Sequence, residues 1–311
     1  MTMTRRLRTS AVFLFLIAVL ALTACSSQPS ASESTDNTES LPTEIAQSDW
    51  VDAKQVVELD TGITMKYVEM GNPEGKPLVL IHGMTDNSRG WSLMAPFLAE
   101  DFHLYIPDLR GHGDTDKPDL RSYPISLYAS DIASFMTEVG VDEADILGHS
   151  LGSAVAQAFA INYSDMTNHL ILESSTPVKS GDTTMYETAL EFGEDPPSEE
   201  FMDNWYSNPN PVDEEFLSYE MEESRTLPPY DWRQITKGFS SSDLTPFMDE
   251  LESPTLILWG TADSLMGKSQ QDELKKLIPD AEFISYQGNG HNIQWEIPED
   301  MAADVSDFLL A

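Results

Sequence analysis

One stretch of this chain decides its fold: Ala144-Asp145-Ile146-Leu147-Gly148-His149-Ser150-Leu151-Gly152. A short apolar strand enters a G-x-S-x-G pentapeptide, and the small residues at 153–160 predict a helix that leaves it. Glycines flank the serine because a Cβ would clash in so tight a turn. Such a turn lifts the Ser150 hydroxyl into a cleft, while His149, the variable position, is expected to point away from the reacting centre. The pattern predicts a nucleophilic serine; a plain Gly/Ser turn is the alternative.

Apolar runs and helix patterns alternate on both sides of this strand–turn–helix stretch, the elbow. The further runs that predict strands are 55–59, 63–70, 77–81, 102–107, 169–173, 255–260 and 281–286. The helix patterns outside the elbow are 91–99, 127–139, 268–277 and 301–310. This alternation predicts an α/β fold with a mostly parallel sheet that carries helices on both faces.

The alternation stops at about residues 174–251, where prolines, acids and scattered aromatics replace the strand pattern. We expect a helical insertion, the cap, over the carboxyl ends of the strands, where such sheets bind ligands. We expect most of its large apolar residues to form the core of the cap and some of them to line a pocket. They are Met185, Tyr186, Phe192, Phe201, Trp205, Tyr206 and Trp232.

The chain also supplies partners for the serine. A serine hydroxyl needs a histidine base that is oriented by a buried carboxylate. His291 lies in a Gly-rich loop after the last predicted strand, and Asp263 lies just beyond the penultimate one. The chain order serine, acid, histidine is that of a strand-to-helix elbow site. We predict Ser150, Asp263 and His291 as the catalytic residues, with Glu173 at the end of the preceding strand as the rival acid.

An oxyanion hole needs two backbone donors. We predict the N–H groups of Leu151 and of Met84, which follows the third apolar run. His82, two residues before Met84, is expected to shape this loop and not to act in catalysis. His103 and His169 lie in or beside predicted strands, where we expect them to be packing residues.

Five stretches of the chain belong together. They are Ile81-His82-Gly83, Pro107-Asp108-Leu109-Arg110-Gly111-His112-Gly113-Asp114, Gly148-His149-Ser150-Leu151-Gly152, Leu258-Trp259-Gly260-Thr261-Ala262-Asp263 and Gly288-Asn289-Gly290-His291. In their order, and from about residue 55 to the end, they resemble the α/β-hydrolase fold family. The resemblance implies a serine hydrolase with a Ser-His-Asp triad. Dehalogenases and epoxide hydrolases of this fold use aspartate as nucleophile, so Ser150 argues against both.

The expected reaction is hydrolysis of a small or medium carboxylic ester or lactone through an acyl-enzyme. Amide hydrolysis, carbon–carbon bond cleavage or perhydrolysis on the same triad are alternatives. A ligand-binding lipoprotein that has lost catalysis is the alternative from another class. The sequence shows neither a metal-ligand cluster nor a phosphate-binding glycine loop, so we expect no metal and no cofactor. We also expect a monomer.

The amino terminus predicts export. Arg5, Arg6 and Arg8 precede an apolar segment at 11–22 that is too short for a comfortable membrane span. Leu22-Thr23-Ala24-Cys25 resembles a bacterial lipobox, so we expect a signal peptide at 1–24 and a lipid, such as palmitate, on Cys25. An ordinary secretory signal with an incidental cysteine is the alternative. Residues 25–48 read as a flexible tether and 49–311 as the hydrolase domain.

The expected location is therefore the cell envelope, with attachment to a membrane through Cys25. The sequence does not decide between the inner and the outer membrane. The chain has 53 acidic residues against 17 Lys and Arg and a formal charge of −36. Removal of residues 1–24 takes away three arginines and no acid, which makes the charge −39. So acidic a chain argues against nucleic acid or anionic lipid as a partner and favours a salt-rich habitat; simple solubility is the alternative.

Overall fold

The structure, a computed structural model, describes residues 40–311. Its centre is an eight-stranded sheet with the strand order β1-β2-β4-β3-β5-β6-β7-β8. The strands are β1 (Gln55–Glu58), β2 (Thr64–Gly71), β3 (Lys76–Ile81), β4 (Phe102–Pro107), β5 (Ala144–His149), β6 (Thr167–Glu173), β7 (Thr255–Gly260) and β8 (Glu282–Tyr286). The β1–β2 and β2–β4 pairs are antiparallel, and the other pairs are parallel. The predicted fold class is confirmed.

Helices cover both faces of the sheet, and those between β6 and β7 form the cap. They are α1 (Ala95–Leu98), α2 (Ile125–Glu138), α3 (Leu151–Asn162), α4 (Thr184–Glu191), α5 (Glu199–Trp205), α6 (Glu214–Arg225), α7 (Pro229–Ser241), α8 (Lys268–Leu277), α9 (Ile293–Glu296) and α10 (Pro298–Leu309). Alternate residues of β3 face opposite sides, as the period of a strand requires. Val79 and Ile81 pack in the core that contains α2 and α3, whereas Leu78 and Leu80 pack in the core that contains α1 and α10.

One predicted helix is shorter than expected. The pattern at 91–99 predicts a continuous helix, but the structure has a 3₁₀ turn at Ser88–Trp91 and the single turn of α1. Pro96 lies in the first turn of α1, and its missing N–H prevents a helix from continuing through that position. At the carboxyl terminus, α10 begins three residues before the predicted start because Pro298 occupies its first position.

The folded part begins before the predicted boundary at residue 49. The carbonyl of Pro42 accepts a hydrogen bond from Gly71 N–H at 2.8 Å, and Ile45 packs against the core. Arg89 donates to the carbonyl of Gln47 at 2.7 Å. The last residues of the predicted tether therefore lie against the domain because backbone and side-chain partners are available there. Cys25, the predicted signal peptide and the remaining tether lie outside the described residues.

The chain between β6 and β7 contains α4 to α7, and α7 is joined to the loop that precedes α2. The Gln234 side-chain oxygen accepts hydrogen bonds from the N–H groups of Leu120 and Arg121, both at 2.6 Å. The Gln234 carbonyl accepts one from Tyr123 N–H at 2.9 Å. A Cβ at Gly238 would collide with the carbonyl of Tyr123, so the two backbones are in direct contact. No helix between residues 40 and 311 is both long and apolar enough to cross a membrane.

Candidate active site

Ser150 lies in the turn between β5 and α3, at the carboxyl end of the sheet. Its φ of +52° is in the left-handed region that non-glycine residues seldom adopt. Such strain persists only where the surroundings hold it, and it concentrates at functional sites. The Ser150 N–H donates to the carbonyl of Glu173 at 3.0 Å, which ties the turn to β6. A Cβ at Gly148 would collide with the backbone of Gly152, so the flanking glycines are needed for the close approach predicted from the sequence.

His291 and Asp263 lie in loops that follow β8 and β7. The Nδ1 of His291 is 2.9 Å from Asp263 Oδ2, and the carboxylate is buried. The other oxygen, Oδ1, accepts hydrogen bonds from the N–H groups of Leu265 and Met266 at 2.8 and 2.9 Å. Burial by itself would raise the pKa of Asp263, but the hydrogen bond and charge of His291 and these two N–H groups lower it. Asp263 is therefore held as a carboxylate, and His291 as the tautomer with a proton on Nδ1.

Glu173, the rival acid, has a different environment. It is fully buried at the end of β6, and its Oε1 accepts the N–H of Gln294 at 3.1 Å. Burial raises the pKa of Glu173 well above its ordinary value. The hydrogen bond of this neutral carboxyl group goes to the start of α9 and not to the imidazole ring of His291. The structure thus pairs His291 with Asp263 and not with Glu173.

The predicted oxyanion residues border the same cavity as Ser150 and His291. Met84 and Leu151 both line it. His82 is buried behind them: its Nε2 accepts the N–H of Leu109 at 2.9 Å, and its Nδ1 donates to the carbonyl of Gly83 at 2.8 Å. Burial lowers the pKa of His82 to about 4, so it stays neutral in this role. His82 therefore shapes the loop, as predicted.

The cavity has a volume of about 530 Å³ and lies between the sheet and the cap. Its apolar wall includes Leu151, Met185, Trp205, Phe239 and Leu265. A volume of this size matches the sites that proteins build for small organic molecules. Among residues 40–311, no three His, Cys, Asp or Glu side chains are grouped so that they could hold a metal ion.

Cap aromatics divide between a core and this wall. Trp232 is buried and has its ring edge-on to the rings of Phe192, Phe201 and Trp205, at centroid distances of 5.3 to 5.9 Å. Trp205 also reaches the cavity, and its Nε1 donates to Thr85 Oγ1 at 2.9 Å. The expectation that most cap aromatics form its own core, with some lining the pocket, is confirmed.

The prediction for His149 was wrong. Its ring lies against that of His291, with centroids 5.0 Å apart, and both line the cavity. Beside it lies Asp86, a buried residue of the Met84 loop that the sequence reasoning missed. Two signals could have found the pair. His149 ends β5, so its side chain borders the carboxyl edge of the sheet, and Asp86 is two residues beyond Met84, a predicted oxyanion donor.

His103 and His169 lie away from this cavity. His103 Nε2 is 2.8 Å from Glu69 Oε1, and its ring stacks on that of Tyr105. His169 Nδ1 is 2.7 Å from Asp145 Oδ1. Both therefore have the packing role predicted from their strand positions.

A family model described as the alpha/beta hydrolase fold matches residues 76–298, which is most of the described domain. The chain belongs to the α/β-hydrolase fold family. The match runs from the start of β3 to the start of α10, so it contains Ser150, Asp263, His291 and the whole cap.

Named relatives of this α/β-hydrolase cover the chain to different extents. The soluble epoxide hydrolase of Corynebacterium sp. (strain C12) is 35% identical over 131 residues, which are 42% of this chain and 45% of that protein. The chain thus spans less than half the length of the first curated relatives it matches. Lipase 3 of Moraxella sp. (strain TA144) is 24% identical over 311 residues, which cover 93% of this chain and 94% of the lipase.

Among solved structures, the α/β-hydrolase is similar to a membrane phospholipase A described as a bacterial virulence factor. The two chains are 26% identical with a TM-score of 0.72, and the match covers 82% of this chain and 85% of the phospholipase.

Proposed function

We propose that this α/β-hydrolase is a serine hydrolase that acts on carboxylic esters or lactones. One observation carries the proposal. The His291–Asp263 hydrogen bond of 2.9 Å belongs to a histidine that shares a cavity with Ser150, and Ser150 occupies the strained turn of a nucleophilic serine.

Each residue has a defined role in this reaction. Asp263 accepts the Nδ1 proton of His291, so the lone pair of Nε2 is free to take the proton of Ser150 as its oxygen attacks the carbonyl. The N–H groups of Met84 and Leu151 stabilise the oxyanion. His291 returns the proton to the leaving alcohol, and water then releases the acid from the acyl-enzyme.

The cavity favours a small or medium, uncharged substrate. Its volume of about 530 Å³ and its apolar wall suit an acyl chain. Among the described lining residues the one lysine, Lys179, is paired with Glu273, and Asp182 adds an acidic group. An anionic substrate would therefore meet no free cation on this wall. The likeness to a lipase and a phospholipase A supports an ester.

Labelling with a fluorescent fluorophosphonate tests the proposal. The domain 40–311, purified in high salt, is compared with Ser150→Ala and with Ser126→Ala, an exposed serine of α2. We expect wild type and Ser126→Ala to be labelled and to hydrolyse p-nitrophenyl esters, and Ser150→Ala to do neither. The chain-length profile of the esters then measures the acyl pocket. A folded wild-type domain without labelling would reject the hydrolase and leave a binding protein on the same scaffold.

We also propose that Cys25 carries a lipid that attaches the protein to a membrane of the cell envelope. The support is the lipobox-like Leu22-Thr23-Ala24-Cys25 after a basic and apolar leader. We expect the full chain to incorporate labelled fatty acid and to sediment with membranes, and Cys25→Ala to do neither, with Ser27→Ala as the control. Membrane association of Cys25→Ala together with an unlabelled wild type would contradict the proposal.

A further inference from the structure

A second histidine contacts the backbone of His291. His149 Nε2 lies 3.1 Å from the carbonyl oxygen of His291, and the two rings are 5.0 Å apart. The same carbonyl accepts the hydroxyl of Ser174 at 2.6 Å. Two side chains thus hold the main chain of the histidine that also binds Asp263. Since His149 immediately precedes Ser150, this contact joins the nucleophile turn to the histidine loop.

The contact fixes the protonation of His149. A carbonyl oxygen can only accept, so Nε2 carries a proton. Burial lowers the pKa of His149 well below its ordinary value, which keeps the ring neutral. Its Nδ1 is therefore a bare acceptor, and within the described residues no hydrogen-bond partner lies in reach of it. A buried acceptor without a partner is costly.

Asp86 faces this acceptor. Its Oδ2 is 3.7 Å from His149 Nδ1, and its Oδ1 accepts the hydroxyl of Tyr206 at 3.3 Å. Gly83 leaves the space for the pair, since a Cβ there would lie 2.7 Å from His149 Nδ1 and 2.8 Å from Asp86 Oδ2. A protonated carboxyl can donate to the bare nitrogen after a small rotation, whereas a carboxylate would oppose two lone pairs.

The surroundings of Asp86 support its protonated form. Burial raises its pKa to about 7, although His291, the Tyr206 hydroxyl and the Gly83 backbone act in the opposite direction. Titratable groups that face Asp86 or His149 come from every neighbouring element. They are His82, Glu173, Tyr206, Glu220, Asp263 and His291.

We propose that His149 and Asp86 are positioning residues of the hydrolase: Asp86 holds the tautomer of His149, and His149 Nε2–H holds the His291 loop over Ser150. The inference rests on the proposed function and extends it. When Asp86 ionises, the proton of neutral His149 moves to Nδ1, facing the carboxylate, and Nε2 no longer donates to His291. The arrangement is therefore intact below pH about 7 and is lost as pH rises through that value.

Substitution of His149 tests the first half of this proposal. We expect His149→Phe to lower kcat for a p-nitrophenyl ester about 10–100-fold, with KM changed less than threefold. The variant removes the hydrogen bond to the His291 carbonyl, whereas phenylalanine keeps an aromatic ring at the cavity wall. His149→Gln, whose amide can donate at the position of Nε2, is expected to recover most of the activity. His169→Phe removes a His–Asp pair at the other end of β5 and serves as the matched control.

Asp86→Asn tests the second half. An asparagine amide donates to His149 Nδ1 at every pH, so the ratio of wild-type to variant kcat/KM is expected to fall several-fold between pH 6 and 8.5. Identical pH profiles of the two proteins would overturn the role of Asp86. Melting temperatures and circular dichroism show whether each variant is folded.

The outcomes separate the inference from the proposed function. Absence of fluorophosphonate labelling in wild type rejects the hydrolase itself. A labelled, active wild type together with a folded His149→Phe of unchanged kcat rejects only the positioning role. Equal loss in His149→Phe and His149→Gln also rejects it, since the donated hydrogen bond would then be irrelevant.

Discussion

The strand-end site, which is Ser150, Asp263 and His291, and the cap above it are held in different ways. Each of the three residues follows a strand of one sheet, and backbone hydrogen bonds fix the turns that carry Ser150 and Asp263. Cap helix α7 contacts Tyr123 through its backbone, whereas α5 and α6 contact the domain through side chains. Arg89 makes a bidentate ion pair with Glu223 of α6, and Asn87 donates to the same carboxylate at 2.9 Å.

This difference indicates that the sequence of the cap can vary more than that of the strand-end site. The turns of Ser150 and Asp263 are joined by backbone hydrogen bonds to neighbouring strand ends and loops, so we expect these turns to keep their geometry when the cap changes. Two buried carboxyl groups, one in each region, also differ in the direction of their pKa shift. The pKa of Asp263 at the strand ends is lowered, whereas burial raises the pKa of Asp231 on α7 to about 6.

We expect the largest change in kcat from a substitution in the strand-end site. We expect Asp263→Asn to reduce kcat by about 10³–10⁴-fold, because the amide favours the wrong tautomer of His291. Glu173→Gln is the matched control: it resembles the protonated Glu173 and should stay within a few-fold of wild type. Steady-state kinetics of the two variants decide between the acids. Turnover of Asp263→Asn near that of wild type would transfer the role to Glu173.

The next effect lies in the cap. Trp232→Ala removes the centre of its aromatic cluster, and we expect the free energy of unfolding to fall by about 3–5 kcal/mol. Because the strand-end site does not depend on this cluster, kcat should change less than KM. Urea titration and ester kinetics measure both. Tyr230→Ala, an exposed position of the same helix, should cost less than about 1 kcal/mol. A larger loss in kcat than in KM would show that the two regions are coupled.

The smallest expected effect is on the pH dependence of the free energy of unfolding. A folded-state pKa of about 6 for Asp231, above the ordinary value of about 3.9, means that its carboxyl stabilises the fold fully below pH 4. That contribution is lost as pH rises through about 6. We expect Asp231→Asn to gain at most about 3 kcal/mol relative to wild type between pH 4 and 8. Urea titrations of both proteins across this range measure it, and parallel curves would contradict the raised pKa of Asp231 and with it the contrast to Asp263.

Much of the strand-end site could be predicted because local sequence determines it. The elbow requires glycines on both sides of a serine, and loops after parallel strands meet at one edge, so Ser150, Asp263 and His291 could be placed without coordinates. Helix and strand limits were less certain where proline acts, as at Pro96.

The cap and the neighbours of His291 could not be predicted in the same way. Helix α6 reaches the domain through Glu223, and α5 through Trp205; both contacts join residues more than a hundred positions apart. The side chain of His149 also depends on a tertiary contact, since the strand period alone does not show that the His291 carbonyl lies beside it. Long-range side-chain geometry has no local signal.

The backbone contact between Gly238 of α7 and Tyr123 has a consequence for anyone who wishes to redesign substrate preference. Any larger residue at 238 would push the whole helix outward, and Gln234 would lose its three backbone partners together. The position of helix α7 relative to the Tyr123 loop is therefore fixed. Libraries that aim at a changed substrate preference should vary Met185 on α4 and Trp205 on α5, and should leave α7 between Gln234 and Gly238 untouched.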